Sequence, residues 1–344
     1  MNIKKWCALL TLAAISGLAQ AGEQVVVYNW SEYIPEDTLQ EFKKETGIEV
    51  VYSTYESNET LCTKLKLMKG AGYDVVVPST YYLNKMAKEG LLQKVDKTKL
   101  PNFTNLDPEL LNKPFDPNNE YSVPYLWGST GIGINVKNIP RDSITGWKDF
   151  WNPKFKNQLL LTDDVREVFH MALRIKGYSA NTTDEAQIKE AYEYLKELMP
   201  NVLVFNSDAP REPFLSGDVS LGMIWNGSVV QSREDDPNLQ YIYPKEGAVF
   251  WMDSFVIPSG AKNVANAHKF INYMLKADVA KVCVEYVGYA TPNKAGKALL
   301  DEKTQNDPVI FPDKATLDAG EFHNDVGDAV LIYDKYWQLL KAGK

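Results

Sequence analysis

Short apolar runs alternate with stretches of helical periodicity in the first part of the chain. Three runs have the length and composition of buried strands: 25–28, 48–52 and 74–78. Between and after them, apolar residues recur with helical spacing over 36–46, 59–69 and 82–89. This alternation predicts a parallel sheet with helices on both faces.

A second α/β pattern follows an irregular segment over 101–124, which is rich in Pro, Asn and Asp. The predicted strands of this second part are 130–135, 159–161, 219–225 and 248–258, and the predicted helices are 165–176, 184–198, 264–275, 278–286 and 325–341. We expect the strand at 130–135 to leave a first lobe and the strand at 248–258 to return to it.

A chain of this length exceeds what one compact core normally holds, which favours two domains. We therefore predict an α/β fold of two lobes joined by two crossing strands, with a ligand cleft between the lobes. Residues 22–131 and 254–310 are assigned to the first lobe, and residues 132–253 and 311–344 to the second.

The N-terminus has the features of a cleavable signal peptide over residues 1–21. Lys4 and Lys5 precede an apolar stretch, and Ala19-Gln20-Ala21 supplies a small-residue cleavage site. The apolar stretch is shorter than the ~20 residues that span a bilayer. Cys7 lies inside that stretch and not directly after the cleavage site, so we expect a free periplasmic protein rather than a lipid-anchored one.

Removal of residues 1–21 takes away two lysines and no acid, which leaves a net charge of 35 minus 45, or −10. This balance disfavours nucleic acid as a partner and weakly favours cations. Cys62 and Cys283 could form one disulfide or remain buried thiols, and their wide separation favours burial. No zinc-type cysteine spacing is present, and we expect neither a metal nor a cofactor.

An enzyme is not favoured, because the sequence lacks the nucleophile elbow, the HExxH motif and a phosphate-binding glycine loop that opens a helix. The three histidines, His170, His268 and His323, are far apart in the sequence. Asp164 and Glu167 could form a glycosidase pair, but such carboxylates usually come from separate elements.

Aromatic and acidic residues follow the ends of the predicted strands, which is where open α/β sheets bind ligands. These residues are Asn29, Trp30, Ser31, Tyr33, Ser79, Tyr81, Tyr82, Asp163, Asp164, Glu167 and Trp225. Carboxylates and aromatic faces attract ammonium groups, and flat rings pack against methylene segments. The combination predicts a site for an organic cation with apolar spacers, such as a linear polyamine.

Asp253 is an acid within a long apolar run. In a strand it shares one side with Trp251, and its burial is costly unless a positive group meets it. That group could belong to a ligand or to a Lys or Arg of the protein. Asp164 and Glu167 also leave two interpretations open, because an Asp followed three residues later by Glu is a helix capping box. For each aromatic residue alone, core packing is the ordinary role.

Six stretches, among them 28–33 (YNWSEY), 77–82 (VPSTYY), 161–169 (LTDDVREVF) and 250–254 (FWMDS), resemble the periplasmic spermidine/putrescine-binding proteins of ATP-driven polyamine importers. The resemblance runs from about residue 28 to the C-terminus. It implies a type II periplasmic-binding-protein fold, a monomer that binds spermidine or putrescine, and a membrane permease of an ABC importer as partner.

The resemblance also implies roles for individual residues. The aromatic wall comprises Trp30, Tyr33, Trp225, Trp251 and Tyr289; the carboxylates are Asp164, Glu167 and Asp253; the polar supports are Ser31, Ser79 and Tyr81. His323 stands where the family commonly has glutamine. A protonated imidazole there would repel a cation, so we expect binding to weaken more at mildly acidic pH than in a His323→Gln variant.

Two other functions remain open from the sequence. A polyamine-binding protein that reports its ligand to a membrane signalling receptor would use the same cleft. A sugar binder or carbohydrate-active enzyme would use the aromatic residues as stacking platforms, and it would be indifferent to ligand charge.

Overall fold

The computed structural model describes residues 23–113 and 115–343, so the predicted signal peptide lies outside the described residues. Within that range, none of the helices combines the length and the apolar character that crossing a membrane requires.

The first part of the chain forms a three-stranded parallel sheet in the order β2-β1-β3. In chain order its elements are β1 (Gln24–Trp30), α1 (Glu36–Thr46), β2 (Glu49–Tyr55), α2 (Asn58–Leu67), β3 (Val75–Val76), α3 (Thr80–Lys88) and β4 (Leu92–Gln93). The predicted parallel arrangement is confirmed for this sheet. Gly47 ends α1 in the left-handed conformation, with φ of 75°, that glycine adopts without steric cost.

The next part of the chain starts with short 3₁₀ turns between residues 97 and 110, as the Pro- and Asn-rich composition of that segment predicts. The following elements are β5 (Val123–Asn135), β6 (Leu159–Leu161), α4 (Val165–Ile175), α5 (Glu185–Leu198), β7 (Val202–Phe205), α6 (Glu212–Leu215), β8 (Leu221–Trp225), α7 (Asn226–Ser232), β9 (Leu239–Ile242), β10 (Val249–Phe255) and β11 (Ile257–Pro258). The single strand predicted over 248–258 is thus two strands.

The last part of the chain is mainly helical. Its elements are α8 (Val264–Met274), α9 (Ala277–Val287), α10 (Lys294–Lys297), α11 (Glu302–Gln305), α12 (Lys314–Ala319), β12 (Glu321–Phe322) and α13 (Val330–Ala342). The C-terminal helix begins five residues later than predicted, because a 3₁₀ turn at Gly327–Ala329 precedes it.

The second sheet has seven strands in the order β12-β10-β5-β8-β6-β7, with β9 also paired to β5. It is mixed and not purely parallel. The long strand β5 is antiparallel to β10 and to β8, whereas β6 is parallel to both β7 and β8. All thirteen residues of β5 are buried, so this strand lies at the centre of the molecule.

Strands β5 and β10 connect the two sheets. Their register shifts between Asp253 and Ser254. Near this point, isolated bridges join Asp253 of β10 to Ser79, which lies between β3 and α3, and join Val256, directly after β10, to Val76 of β3. One apolar core packs β1 against α8 and α9, and another packs β6 against α4, α5 and α13. The predicted architecture of two α/β lobes joined by two crossing strands is confirmed. Cys62 and Cys283 are buried free thiols, which confirms the favoured interpretation.

Candidate ligand-binding cleft

A cleft of about 850 Å³, measured with its open mouth, lies between the two sheets. Its walls come from the ends of β1, β3, β6, β8 and β10 and from the loops that follow them. Every residue predicted for the site lines this cleft except Asn29, Tyr82 and His323. Sequence reasoning missed further lining residues: Glu32, Glu56, Asn58, Ser207, Asp208, Ala209, Pro210, Arg211, Ser228 and Gln231.

Asp253 lies in the wall of the cleft, where β10 leaves the second sheet, and is only 4% exposed. Its carboxylate accepts a hydrogen bond from Ser79 Oγ at 2.5 Å and another from Tyr33 Oη at 2.6 Å. Burial raises its pKa to about 7, although these two hydrogen bonds act in the opposite direction. Within the part of the chain that the structure describes, no Lys or Arg forms an ion pair with it, so the internal salt bridge considered from the sequence is not present.

Asp164 both caps α4 and faces the cleft. Its Oδ1 atom accepts hydrogen bonds from the backbone N–H groups of Arg166 and Glu167 at 2.9 and 3.0 Å. Its Oδ2 atom accepts a hydrogen bond from Tyr81 Oη at 2.9 Å, which leaves the carboxylate directed towards the other lobe. Burial raises the pKa of Asp164. The capping interpretation is therefore correct for Asp164, and it does not exclude a role in the cleft.

Glu167 does not complete a capping box. Its Oε1 atom accepts hydrogen bonds from Thr130 Oγ1 at 2.6 Å and from Trp225 Nε1 at 3.0 Å. Burial is the main cause that raises its pKa, and the nearby Asp164 carboxylate adds to it. Its carboxylate is thus held by neutral donors on two strands of the second sheet.

The ion pairs between cationic side chains and the acids of this cleft lie at its rim. Arg211 pairs with Glu32 at 3.3 Å, and Lys341 pairs with Asp163 at 2.9 Å. Arg166 opposes the rise in the pKa of Asp164 that burial causes, but its guanidinium donates to Asn324 O, Ala180 O and Asn181 Oδ1.

The three inner carboxylates of Asp164, Glu167 and Asp253 therefore form no ion pair with a Lys or Arg of the described chain. An unpaired buried carboxylate is costly, so the cleft favours a cation from outside.

Hydrogen bonds and close packing fix the rings around these acids. Trp30 Nε1 donates to Val77 O at 3.0 Å, and Trp251 Nε1 donates to Thr130 Oγ1 at 3.3 Å. The rings of Trp251 and Tyr289 meet edge to face with centroids 4.9 Å apart. Gly128 allows the Trp251 ring to approach the neighbouring strand, because a Cβ atom at that position would lie 2.7 Å from it.

Asn58 supports the site by hydrogen bonds to Ser79 and Tyr81. Its side-chain amide donates to Ser79 Oγ at 3.2 Å and to Tyr81 Oη at 3.0 Å, and its carbonyl oxygen accepts from Ser79 N at 2.9 Å. It therefore positions the two hydroxyl groups that bind Asp253 and Asp164. The sequence offered one signal for it, since Asn58 follows β2 at the sheet edge where the other site residues lie.

His323 does not line the cleft, contrary to the prediction. Its ring lies beside Tyr81 and His170, with both centroid distances 5.6 Å. Burial lowers its pKa well below the usual value, and Arg166 and His170 lower it further. This shift favours the neutral imidazole, so the expected repulsion of a cation by His323 is not supported.

Two α/β lobes around a ligand cleft define a solute-binding protein. Residues 37–312 match the family described as bacterial extracellular solute-binding protein, and the chain belongs to this family.

It is 55% identical to the spermidine/putrescine-binding periplasmic protein of Salmonella typhimurium, over 99% of this chain and 100% of that protein. The protein of the same description from Escherichia coli K12 is 53% identical with the same coverage.

The solved structure of a putative spermidine/putrescine ABC transporter from Listeria monocytogenes has a TM-score of 0.90 and 37% identity. The match covers 94% of this chain and 100% of that one. The predicted fold and the resemblance to spermidine/putrescine-binding proteins are confirmed. These relatives are transport binding proteins, which agrees with the expectation that the chain is not an enzyme.

Proposed function

We propose that this protein captures a polyamine, spermidine or putrescine, in the cleft between its lobes and delivers it to the permease of an ABC importer. One observation carries the proposal: three buried carboxylates face the cleft together, and neutral hydrogen-bond donors and aromatic rings surround them. The names of the relatives, which describe spermidine/putrescine binding in the periplasm, support the same ligand class.

The separation of these acids into two groups suits a ligand with charge at both ends. Asp253 comes from β10 and is held by Ser79 and Tyr33 of the first lobe. Asp164 and Glu167 belong to the start of α4 in the second lobe. We assign one terminal ammonium group to Asp253 and the other end of the ligand to Asp164 and Glu167. Each ammonium group exchanges water for charge-assisted hydrogen bonds, which offsets its desolvation.

The aromatic residues suit the methylene segments between the ammonium groups. We assign this role to Trp30, Tyr33, Trp225, Trp251 and Tyr289, whose rings line the same cleft as the acids. Ring faces also attract cations, with a contribution of about 0.5–2 kcal/mol each. Ser31, Ser79 and Tyr81 support the acids and the mouth of the cleft by hydrogen bonding.

Capture then proceeds by closure of the two lobes on the ligand, because the cleft is lined from both sides, by Trp30 and Tyr33 of the first lobe and by Trp225 of the second. No covalent step is involved. We assign the mature protein to the periplasm as a monomer, exported by means of the N-terminal segment 1–21. There the closed form docks on the permease.

Calorimetry with matched ligands tests the binding step. We expect putrescine and spermidine to bind, and 1,4-butanediol, which has the carbon chain of putrescine without the ammonium groups, not to bind. Equal affinity for the diol and the diamine would contradict a cation site and favour a sugar-type stacking site. The delivery step is tested by uptake of labelled polyamine in a deletion strain, complemented with the wild type or with Asp253→Asn. Normal uptake in the deletion strain would contradict delivery.

A further inference from the structure

A cationic side chain from one lobe meets an acid from the other at the mouth of the cleft. Arg211 is the only Lys or Arg among the described residues that line this cleft. Its Nη2 atom lies 3.3 and 3.4 Å from the two carboxylate oxygens of Glu32. Glu32 follows β1 in the first lobe, whereas Arg211 directly precedes α6 in the second lobe. The contact therefore bridges the two lobes.

A second contact lies beside this ion pair. Ser31 Oγ donates to Asp208 Oδ1 at 3.4 Å, so that two consecutive residues of one loop contact the loop containing Asp208 and Arg211. Glu32 has a backbone φ of 51°, in the left-handed region where glycine or asparagine is the ordinary residue. This backbone conformation does not favour glutamate. The ion pair with Arg211 gives a reason for a glutamate at this position.

We propose that Arg211 is a positioning residue that holds the two lobes closed over the bound ligand through its ion pair with Glu32. We call this ion pair between the lobes the clasp. This inference rests on the proposed function, because a clasp between the lobes matters only if the cleft holds a ligand. The pair is partly exposed, with 25% of the Arg211 side chain and 59% of the Glu32 side chain accessible. A modest effect is therefore expected, since solvent and salt screen such pairs.

The clasp acts on ligand release and not on ligand entry. The ion pair exists when the lobes are close together and must break before they separate, so it adds to the barrier for opening. Encounter of the ligand with the open cleft precedes formation of the pair. Changes to such closing contacts are expressed mainly in the dissociation rate.

Stopped-flow measurement of intrinsic tryptophan fluorescence tests this proposal, because Trp30, Trp225 and Trp251 line the cleft. We would measure dissociation of putrescine and of spermidine from the wild type, Arg211→Gln, Glu32→Gln and the double variant. Lys66→Gln is the matched control: it removes the same charge from an ion pair with Glu89 that does not line the cleft.

In Arg211→Gln we expect dissociation about fivefold faster for both ligands, with the association rate unchanged. The effect of this substitution should disappear in the Glu32→Gln background and decrease at high salt. Lys66→Gln should dissociate like the wild type.

Three results would overturn the clasp: an unchanged dissociation rate in Arg211→Gln, an effect confined to one polyamine, or an equally large effect without Glu32. Absence of any polyamine signal from the wild type would instead contradict the proposed function itself.

Discussion

Tyr33 and Asp253 are 220 positions apart in the sequence, and the Tyr33 hydroxyl donates to the Asp253 carboxylate at 2.6 Å. With Ser79 Oγ at 2.5 Å on the other oxygen, this carboxylate is held entirely by neutral donors. A buried charge held in this way is incompletely compensated. The consequences of this arrangement for binding, proton uptake and stability can each be measured.

The charge of Asp253 is expected to be essential for binding. Asp253→Asn keeps the shape of the side chain but removes the charge that meets an ammonium group, so polyamine affinity should fall by on the order of 100-fold, or ~3 kcal/mol. Isothermal titration calorimetry measures this loss. At pH 8 the melting temperature of the empty variant should equal or exceed that of the empty wild type, because an uncompensated buried charge has been removed.

Asp318→Asn is the control for this substitution, since Asp318 is exposed and pairs only with Lys314 in α12. It should bind like the wild type. An Asp253→Asn variant with wild-type affinity, or one that does not fold, would contradict the assigned role.

Polyamine binding should release protons near neutral pH. Burial raises the pKa values of Glu167 and Asp253, the latter to about 7, and a bound cation favours the ionised carboxylates. Affinity should therefore rise with pH through this range. Calorimetry at pH 7 in phosphate and in Tris, whose ionisation enthalpies differ, measures the protons released. Identical binding enthalpies in the two buffers would show that no proton is exchanged. Glu167→Gln should release fewer protons than the wild type.

The same pKa shifts predict how the stability of the empty protein depends on pH. The pKa of Asp253 is about 7 in the folded chain against its usual 3.8, so the folded state binds this proton more tightly than the unfolded state does. The stabilisation is fully present below pH 3.8 and is lost as pH rises through 7. Between pH 6 and 8 the melting temperature of the empty wild type should therefore fall more than that of Asp253→Asn. Parallel melting curves for the two proteins would contradict the raised pKa.

Trp225 is expected to have two separable contributions, one from its ring and one from its indole N–H. Trp225→Phe keeps an aromatic face but removes the donor 3.0 Å from Glu167 Oε1, so the pKa of Glu167 should rise further. We expect weaker binding at pH 7 that largely recovers at pH 9. Trp225→Ala should bind weakly at both values. Calorimetry at the two pH values distinguishes the contribution of the ring from that of the N–H group. A Trp225→Phe variant with the pH dependence of the wild type would contradict the hydrogen-bonding role.

His323→Gln should leave the pH profile of binding unchanged between pH 5.5 and 8. The imidazole is buried, which lowers its pKa well below the usual value, and it does not line the cleft. Affinities measured by calorimetry across that range should have the same pH dependence in both proteins. A weaker acid dependence in the variant would restore the interpretation drawn from the sequence.

The site could be predicted to a large extent because its residues follow strand ends, and parallel strands bring their carboxyl ends to one edge. Asp164 and Trp225 were found in this way. Tyr289 was identified as a site residue only from the family resemblance, because it lies in a turn after α9 and follows no strand. Arg211 and Asn58 were missed, since an arginine directly before a helix and an asparagine in the first turn of a helix are ordinary residues by local pattern. They matter only through partners about 20 or more positions away.

The sequence by itself determined the alternation of strands and helices and the two-lobe class of fold, and it favoured a cation with apolar segments over a sugar as the ligand. These follow from side-chain periodicity and composition, which are local properties. Tertiary structure alone decided that the inner acids form no ion pair with a Lys or Arg of the described residues, that Glu167 accepts hydrogen bonds from Thr130 and Trp225, and that His323 does not line the cleft. The physical reason is that the compensation of a buried charge depends on which distant side chains reach it, and sequence spacing does not specify those contacts.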